Sequence, residues 1–294
     1  MKKACRHLQC SLAALLVLTG SAAWGQLEIT SSPNVVGSGA RALGMGSAFI
    51  AVADDATAAS WNPGGLTQLE RPELSLVYSY KALAEDFSSG PHPELSSSHD
   101  VNFNDINYVS FVYPVQRTFA GRNLVFSINY QRKYEFVRDL KQRYNALGAT
   151  AGNIVGSRQN IDYSQRGGLA SLTPAVAFEI TDRLSLGLAV SIWDQSLLPS
   201  NEWKTRNTNR VGTFINGRPF GGVRLTVEED YKNFEATSYT LGMLYRVNER
   251  LKIGAVYHSK MTADVDYIQT QRIRPGIGAL RTRRNQEYVF PSAF

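Results

Sequence analysis

The first residues whose spacing suggests chemistry are the glycines of the stretch VVGSGARALGMGSAF. Gly37, Gly39 and Ala42 match G-x-G-x-x-[GA], the fingerprint that holds a dinucleotide pyrophosphate at the start of a helix. That chemistry needs a strand before the motif and an acidic residue about 20 positions after it. Only two valines precede the first glycine, and the acidic pair Asp54 and Asp55 comes too early for a ribose contact. The sequence therefore does not predict nucleotide binding.

Other catalytic arrangements are also poorly supported by the residue types. No G-x-S-x-G nucleophile motif occurs, and Cys5 and Cys10 both lie in the first 25 residues. His92 and His99 lie in the polar stretch SGPHPELSSSHD, whose composition favours a solvated loop over a metal site. We therefore expect a protein that is not an enzyme and that uses neither a metal nor another cofactor.

Residues 1–25 have the features of a secretory signal peptide. A positively charged start precedes an apolar run at 12–18, and Ala23 and Gly25 satisfy the small-residue cleavage rule. We expect the mature chain to begin at Gln26, without cysteine and with a smaller positive charge than the formal +6. That mild excess is spread along the chain and does not indicate nucleic-acid binding. After the signal, no apolar run approaches the roughly 18 residues that a membrane helix requires.

From Arg71 onward, apolar residues alternate with small or polar ones, as in RNLVFSINYQRKY, RLSLGLAVSIW and SYTLGMLYRV. Alternation with period two predicts strands that have one apolar face. The predicted strands are 72–82, 104–114, 122–136, 168–180, 183–194, 222–232, 236–247, 250–260 and 262–272, with a possible tenth at 286–290.

The connections between these strands alternate in length. TDR (181–183) and NER (248–250) are tight, whereas 80–104, 137–167 and 195–222 are long and polar. Short periplasmic turns and long outer loops are typical of an all-β, transmembrane antiparallel β-barrel. Aromatic residues near strand ends fit interfacial girdles and ordinary β-propensity equally well. They are Tyr78, Tyr80, Tyr130, Tyr134, Tyr245 and Tyr257.

The segment GARALGMGSAFIAVADDATAASWNPGGL (39–66), followed by RPELSLVYSY, resembles the amino terminus of the FadL/TodX family. These are outer-membrane transporters of long-chain fatty acids and other hydrophobic molecules. The later stretches TPAVAFEITDRLSLGLAVSIW and RLKIGAVYHSKMTADVDY resemble paired strands of the family. The resemblance implies a fourteen-stranded barrel with an N-terminal hatch, or plug, folded inside it. It divides this chain into a hatch at 26–70 and a partial barrel at 71–294.

The resemblance also assigns roles within the hatch. The family ends its hatch with Asn-Pro-Ala, where this chain has glycine in the third position. The glycines are expected to permit positive φ angles and close backbone approach. We expect Arg41 to pair the hatch with the wall, and the acidic pair to cap a short helix or pair with lumen cations rather than bind metal. The matching residues are Gly39, Arg41, Gly44, Gly46, Asp54, Asp55, Asn62, Pro63 and Gly64.

The implied function is passive transport of a hydrophobic small molecule across the outer membrane of a Gram-negative type cell. A fatty acid or aromatic hydrocarbon enters an apolar pocket, movement of Gln26–Thr30 releases it, and it leaves sideways through a kinked strand. Strand 122–136 holds no proline or glycine for that kink, whereas Pro174 interrupts a later strand. Phe49, Ile50 and Val52 either line the pocket or pack inside the hatch.

The expected partners are the hydrophobic ligand, outer-membrane lipid and the barrel assembly machinery, with no nucleic acid. An alternative function stays open, because the RALGMGSAF…NP segment also resembles PorV-like barrels that act as shuttles or anchors in protein secretion. Nine or ten predicted strands are too few for a wall that encloses such a hatch. We therefore expect later strands beyond Phe294, although the ending YVFPSAF also resembles an aromatic terminal strand.

Overall fold

The computed structural model describes residues 38–88, 90, 93–115, 121–150 and 153–293. The predicted signal peptide, Gln26–Thr30, Gly37, His92 and Phe294 lie outside these described residues. Among the residues described, no helix is long and apolar enough to cross a membrane.

The described chain is almost entirely antiparallel β-sheet. Its helices are short: α1 (Ala40–Gly44), α2 (Ala58–Trp61) and two 3₁₀ helices, Pro63–Gln68 and Pro93–Leu95. The strands are β1 (Glu73–Phe87), β2 (Ser97–Pro114), β3 (Leu124–Glu135), β4 (Arg138–Thr150), β5 (Asn153–Glu179), β6 (Leu184–Asp194), β7 (Glu202–Ile215), β8 (Arg218–Arg246), β9 (Lys252–His258), β10 (Met261–Arg274) and β11 (Ile277–Phe290).

The eleven strands form one continuous sheet that is eight positions wide, in the order β1-β2-β3-β5-β6-β8-β10-β11. β4 continues the position of β3, since both pair with β5. β6 and β7 share a position in the same way between β5 and β8, and β9 and β10 share one beside β8. The sheet is thus a barrel wall in which three positions are interrupted part of the way along.

The structure corrects the prediction of long outer loops. The predicted loop 80–104 lies largely in β1 and β2, 137–167 in β4 and β5, and 195–222 in β7 and β8. The two predicted strands 222–232 and 236–247 are one strand, β8, and the possible tenth strand at 286–290 is the end of β11. These segments are polar on both faces, so no apolar alternation identifies them, yet their backbone groups are paired with neighbouring strands.

The two faces of the wall differ in chemistry near the short turns. We call the face that carries residues 38–70 the inner face. Small residues such as Gly187 and Ala189 point inward on β6, whereas Leu186 and Leu188 are exposed on the outer face. Leu184 to Ile192 spans roughly 26 Å along β6, close to the roughly 25 Å apolar band of an outer-membrane barrel.

Two apolar clusters lie along the inner face. The first joins residues 38–70, which we call the N-terminal segment, to the wall: Phe49 and Leu66 pack with Val112, Val125 and Ala177. The second cluster is aromatic and lies beyond the first, toward the long hairpins, with Trp193 among its members. Ala189 of the first cluster and Trp193 of the second are four residues apart on β6, so the two clusters are separated by roughly 13 Å along the strand.

Candidate functional site

Asn62 binds the N-terminal segment to the wall. Its side chain is fully buried, and its amide nitrogen Nδ2 donates to the carbonyl oxygen of Ile50 at 2.8 Å and to that of Met243 on β8 at 2.9 Å. Its Oδ1 accepts a hydrogen bond from the backbone nitrogen of Gly64 at 3.0 Å. Asn62 therefore joins three backbone groups, two in the segment and one on β8, through a buried side chain.

Glycines allow the segment to approach the wall backbone directly. A Cβ atom on Gly187 or Gly242 would overlap the backbone of Pro63 or Gly64, and one on Gly64 would lie 2.9 Å from the carbonyl oxygen of Gly242. The family's alanine at position 64 would press on that carbonyl, so the glycine fits this wall. Sequence reasoning missed the two wall glycines, whose only signal was their place on the small-residue face of β6 and β8.

Hydroxyl groups of the wall add further contacts with the segment. Ser110 Oγ and the Tyr108 hydroxyl on β2 donate to the carbonyl oxygen of Ala56 at 2.7 and 3.1 Å. Thr67 Oγ1 donates to Ser185 Oγ on β6 at 2.8 Å, and both side chains are buried. Strands on both sides of the segment thus bind it through uncharged groups.

Arg41 does not pair the segment with the wall as the sequence predicted. Its Nη1 lies 2.5 Å from Asp54 Oδ1 and 3.7 Å from Asp55 Oδ2, so the ion pairs stay within the segment. The hydrogen bond to Asp54, together with its charge, raises the pKa of the Arg41 guanidinium. The guanidinium also lies over the ring of Phe49, 5.4 Å from the centroid.

Asp55 orders the start of α2. Its Oδ1 accepts hydrogen bonds from the backbone nitrogen of Thr57 at 2.8 Å and from Thr57 Oγ1 at 2.6 Å. These contacts precede the helix, whose N-cap residue is Thr57 and has no side-chain cap, and the Asp54 partner is Arg41 rather than a lumen cation of the wall. Among the described residues, no group of three or more histidine, cysteine or acidic side chains is arranged to hold a metal ion.

The glycines of the segment differ in what they contribute. Gly39 and Gly46 adopt φ angles of 97° and 64°, in the left-handed region that favours glycine. Gly44 has no such φ angle, and a Cβ atom there would meet nothing within 4 Å. The structure therefore provides no conformational reason for glycine at position 44.

The three residues predicted to line a pocket lie in the segment itself. Phe49 is fully buried and contacts Trp61 edge-on at 6.0 Å, and Val52 packs against the same core. Ile50 is 40% exposed. Of the two alternatives, packing inside the segment describes Phe49 and Val52.

The aromatic cluster on the inner face was not predicted. Trp203 stacks between Phe136 at 4.7 Å and Tyr231 at 4.4 Å, and Trp193 contacts Phe234 at 6.4 Å. Half-buried rings complete the cluster on the β3 and β11 side: Tyr134, Tyr288 and Phe290. Its members come from separate strands spread over more than half of the chain, and their convergence depends on the strand register.

The wall strands are interrupted at the level of this cluster. Gly167 on β5 has a φ angle of 138° and Asn233 on β8 one of 53°, while β6 and β7 are separated by residues 195–201. Asn201 replaces the missing strand contact, because its Oδ1 accepts from Ala170 N at 2.6 Å and its Nδ2 donates to Ala170 O at 2.8 Å. These interruptions turn large side chains toward the inner face.

A gap in the ladder between β5 and β6 lies at the level of Ser110, which binds Ala56 of the segment and is in register with Asn129 and, through it, with Thr173. Their register pairs Leu172 with Ile192 and Ala175 with Ala189, but pairs neither residue 173 nor 174 with β6. Pro174 has no N–H to donate, although it is paired normally with Ile128 on the β3 side. At the gap the two strands are joined by side chains, with Thr173 Oγ1 donating to Ser191 Oγ at 3.0 Å.

Comparison with known proteins agrees with this architecture. Residues 19–287 match the family model described as outer membrane protein transport protein (OMPP1/FadL/TodX). No curated protein matches the chain. The family match covers most of the sequence, including the N-terminal segment and the wall up to β11. The chain therefore belongs to the OMPP1/FadL/TodX family of outer-membrane transport proteins.

Proposed function

We propose that this protein carries long-chain fatty acids or aromatic hydrocarbons passively across the outer membrane through a barrel that the N-terminal segment plugs. The observation that carries this proposal is the aromatic cluster on the inner face, on the side of the segment toward the long hairpins. Apolar rings in such a position supply the surface that a hydrophobic ligand needs and that water-filled channels lack.

The cargo contacts the half-buried rings of the cluster. Tyr134 on β3 and Phe290 on β11 have ring centroids 5.4 Å apart although the two strands are not neighbours in the sheet order, and both rings are partly accessible. The fully buried Trp193 and Phe234 support them from behind. An acyl chain or aromatic ring binds here by removing apolar surface from water, without a charged group at the contact.

We further propose that the cargo leaves sideways through the ladder gap at Pro174. At the gap, the Thr173–Ser191 side-chain hydrogen bond joins β5 and β6 in place of ladder pairing at residues 173 and 174. Exposed Leu188 and the outer face of Pro174 border it on the membrane side. This position supplies the lateral exit that no proline or glycine in strand 122–136 provides.

Uptake by whole cells tests the proposed function. Cells without their own fatty-acid channel would express the full chain, and uptake of a labelled long-chain fatty acid and of toluene would be measured. Phe290→Ser removes a ring of the cluster, whereas Val289→Ser changes an adjacent side chain that is 52% exposed. We expect uptake with the wild-type chain and Val289→Ser, and reduced uptake with Phe290→Ser at equal outer-membrane abundance.

Equal uptake with and without the chain would refute transport. Recovery of secreted proteins bound to the purified barrel, together with no uptake, would favour the shuttle or anchor role instead.

A further inference from the structure

A cavity lies on the outer face of the wall, opposite to the face that carries the aromatic cluster. It has a volume of about 510 Å³ and includes Thr208 and Thr226, whose hydroxyl oxygens are 3.4 Å apart across β7 and β8. Thr208 is five residues from the inward-facing Trp203 along an uninterrupted register, so the two side chains point to opposite faces. The cavity is therefore separate from the transport site.

Cations dominate the lining of this cavity. The six cationic side chains are Lys141, Arg206, Arg210, Arg224, Arg272 and Arg274. The acidic lining residues are Asp139 and Asp162, which already pair with Arg166 and Arg210. Glu228, adjacent to the cavity, is shared between Arg206 and Arg272. Most of the negative charge near the cavity is thus already engaged.

Three arginines stand directly opposite one another across neighbouring strands. Arg210 on β7 is paired in register with Arg224 on β8, which is paired with Arg274 on β10. Directly opposite side chains have Cβ atoms about 4.5–5.5 Å apart, and like charges in such positions destabilise a sheet. Arg210 is 2.5 Å from Asp162, whereas neither Arg224 nor Arg274 has an ion pair among the described residues.

We infer that this cavity binds a phosphate group, carried by a membrane-lipid headgroup or by a free phosphate. The planar guanidinium group matches the oxygen atoms of phosphate in a two-point contact, so Arg224 and Arg274 provide paired donors. The hydroxyl groups of Thr208 and Thr226 lie in the cavity and provide further hydrogen-bond donors. A bound phosphate removes the repulsion between the two arginines.

The place of the cavity in the wall is compatible with either source. It lies on the outer face, beyond the apolar band and on the side of the long hairpins, which face the exterior in outer-membrane barrels. Clusters of lysine and arginine next to a membrane bind anionic headgroups. The same groups are accessible to a soluble phosphate.

The test compares the double variant Arg224→Gln/Arg274→Gln with the wild-type chain in detergent. The matched control is Arg218→Gln/Arg281→Gln, which removes the same charge from exposed positions that do not line the cavity. Two probes are titrated: inorganic phosphate, and phosphatidylcholine vesicles that carry a phosphorylated glucosamine lipid, with the dephosphorylated lipid for comparison. Because charge-assisted hydrogen bonds are lost, we expect the affinity of the double variant to fall at least about tenfold while the control is unchanged.

The two probes separate the sources of the phosphate. Weaker binding of inorganic phosphate by the double variant assigns the site to free phosphate, and a loss confined to the phosphorylated vesicles assigns it to a lipid headgroup. Equal binding by wild type and double variant, or no binding of either probe by the wild type, overturns the inference.

A stability measurement separates binding from a structural role. Since the two arginines repel each other, the double variant should unfold at the same temperature as the wild type or higher in the absence of phosphate. A lower unfolding temperature would show that the arginines stabilise the wall themselves, and would also overturn the inference.

Discussion

At the scale of single residues, the N-terminal segment is bound to the wall by buried uncharged groups more than by ion pairs. The Asn62 side chain is fully buried and hydrogen-bonds Ile50 and Met243, whereas the Arg41–Asp54 pair is about half exposed. Buried groups that lose their partners cost about 1–3 kcal/mol each, while exposed ion pairs contribute about 0–1 kcal/mol. The residues that contribute most to binding the segment to the wall are therefore Asn62 and the glycines around it.

We expect Asn62→Ala to lower the free energy of unfolding by about 2 kcal/mol or more, because it removes three hydrogen bonds made by a fully buried side chain. Arg41→Gln should change it by less than about 1 kcal/mol. Denaturant unfolding in detergent, followed by the mobility of the folded barrel on gels, measures both. Equal effects of the two substitutions would contradict this account of how the segment is held.

Gly187→Ala should displace the N-terminal segment, since its Cβ atom would overlap the backbone of Pro63. Overpacking of this kind costs about 1–3 kcal/mol. The matched control is Gly221→Ala, where a Cβ atom meets nothing within 4 Å. Limited proteolysis should cut the segment faster in the first variant only, and equal rates in both would show that the close approach does not constrain the segment.

At the scale of elements, the sequence predicts the strands of the membrane-spanning half well. The predicted strand 183–194 corresponds to β6 (Leu184–Asp194), because its outer face is apolar and its inner face small. In contrast, β7 was assigned to a loop, since EWKTRNTNRVGTFI is polar on both faces and shows no apolar alternation. Its strand conformation depends on its pairing with β5 and β8, which only the assembled sheet reveals.

In the candidate site, too, contiguous features could be predicted from the sequence, whereas features that depend on strand pairing could not. The Asn62-Pro63-Gly64 motif was recognisable in the sequence because its residues are contiguous. The aromatic cluster was not, because Phe136, Trp203 and Phe290 meet only through strand register and through the interruptions beside them. Arg41 was predicted to pair with the wall but pairs with Asp54 of the segment. The sequence offers several acidic residues and does not show which of them lies near Arg41.

The ladder gap predicts a kinetic effect of Pro174. Pro174→Val restores an N–H donor toward β6, and one added hydrogen bond contributes about 0.5–1.5 kcal/mol, which corresponds to a roughly two- to tenfold change. We expect fatty-acid uptake to slow by that factor while equilibrium binding of the fatty acid is unchanged. Pro114→Val is the control, since Pro114 ends β2 away from the gap. Unchanged uptake in Pro174→Val would place the exit elsewhere in the wall.

At the scale of the whole molecule, the proposed route runs from the aromatic cluster to the membrane without passing residues 62–68 of the N-terminal segment. The segment fills the inner face near the short turns through contacts with β2, β5, β6 and β8. The proposed exit at Pro174 lies beyond the wall contacts of residues 62–68, which are with Ser185, Gly187 and Gly242. Transport by this route does not require residues 62–68 to leave the wall.

A disulfide between segment and wall tests this route. The side chains of Thr67 and Ser185 are in hydrogen-bond contact, and the predicted mature chain has no cysteine, so Thr67→Cys/Ser185→Cys offers one possible bridge. We expect uptake to be the same with the bridge oxidised or reduced. Uptake that stops on oxidation and returns on reduction would show that cargo passes through the contact between segment and wall.

The most direct test of the central claim is quenching of tryptophan fluorescence by a dibrominated long-chain fatty acid, whose bromine atoms quench indole rings that lie close to the bound chain. Trp61→Phe leaves Trp193 and Trp203 of the cluster, whereas Trp193→Phe/Trp203→Phe leaves Trp61 of the N-terminal segment. The account predicts saturable quenching in Trp61→Phe and none in the double variant. Quenching of Trp61 alone, or of neither, would contradict the aromatic cluster as the binding site.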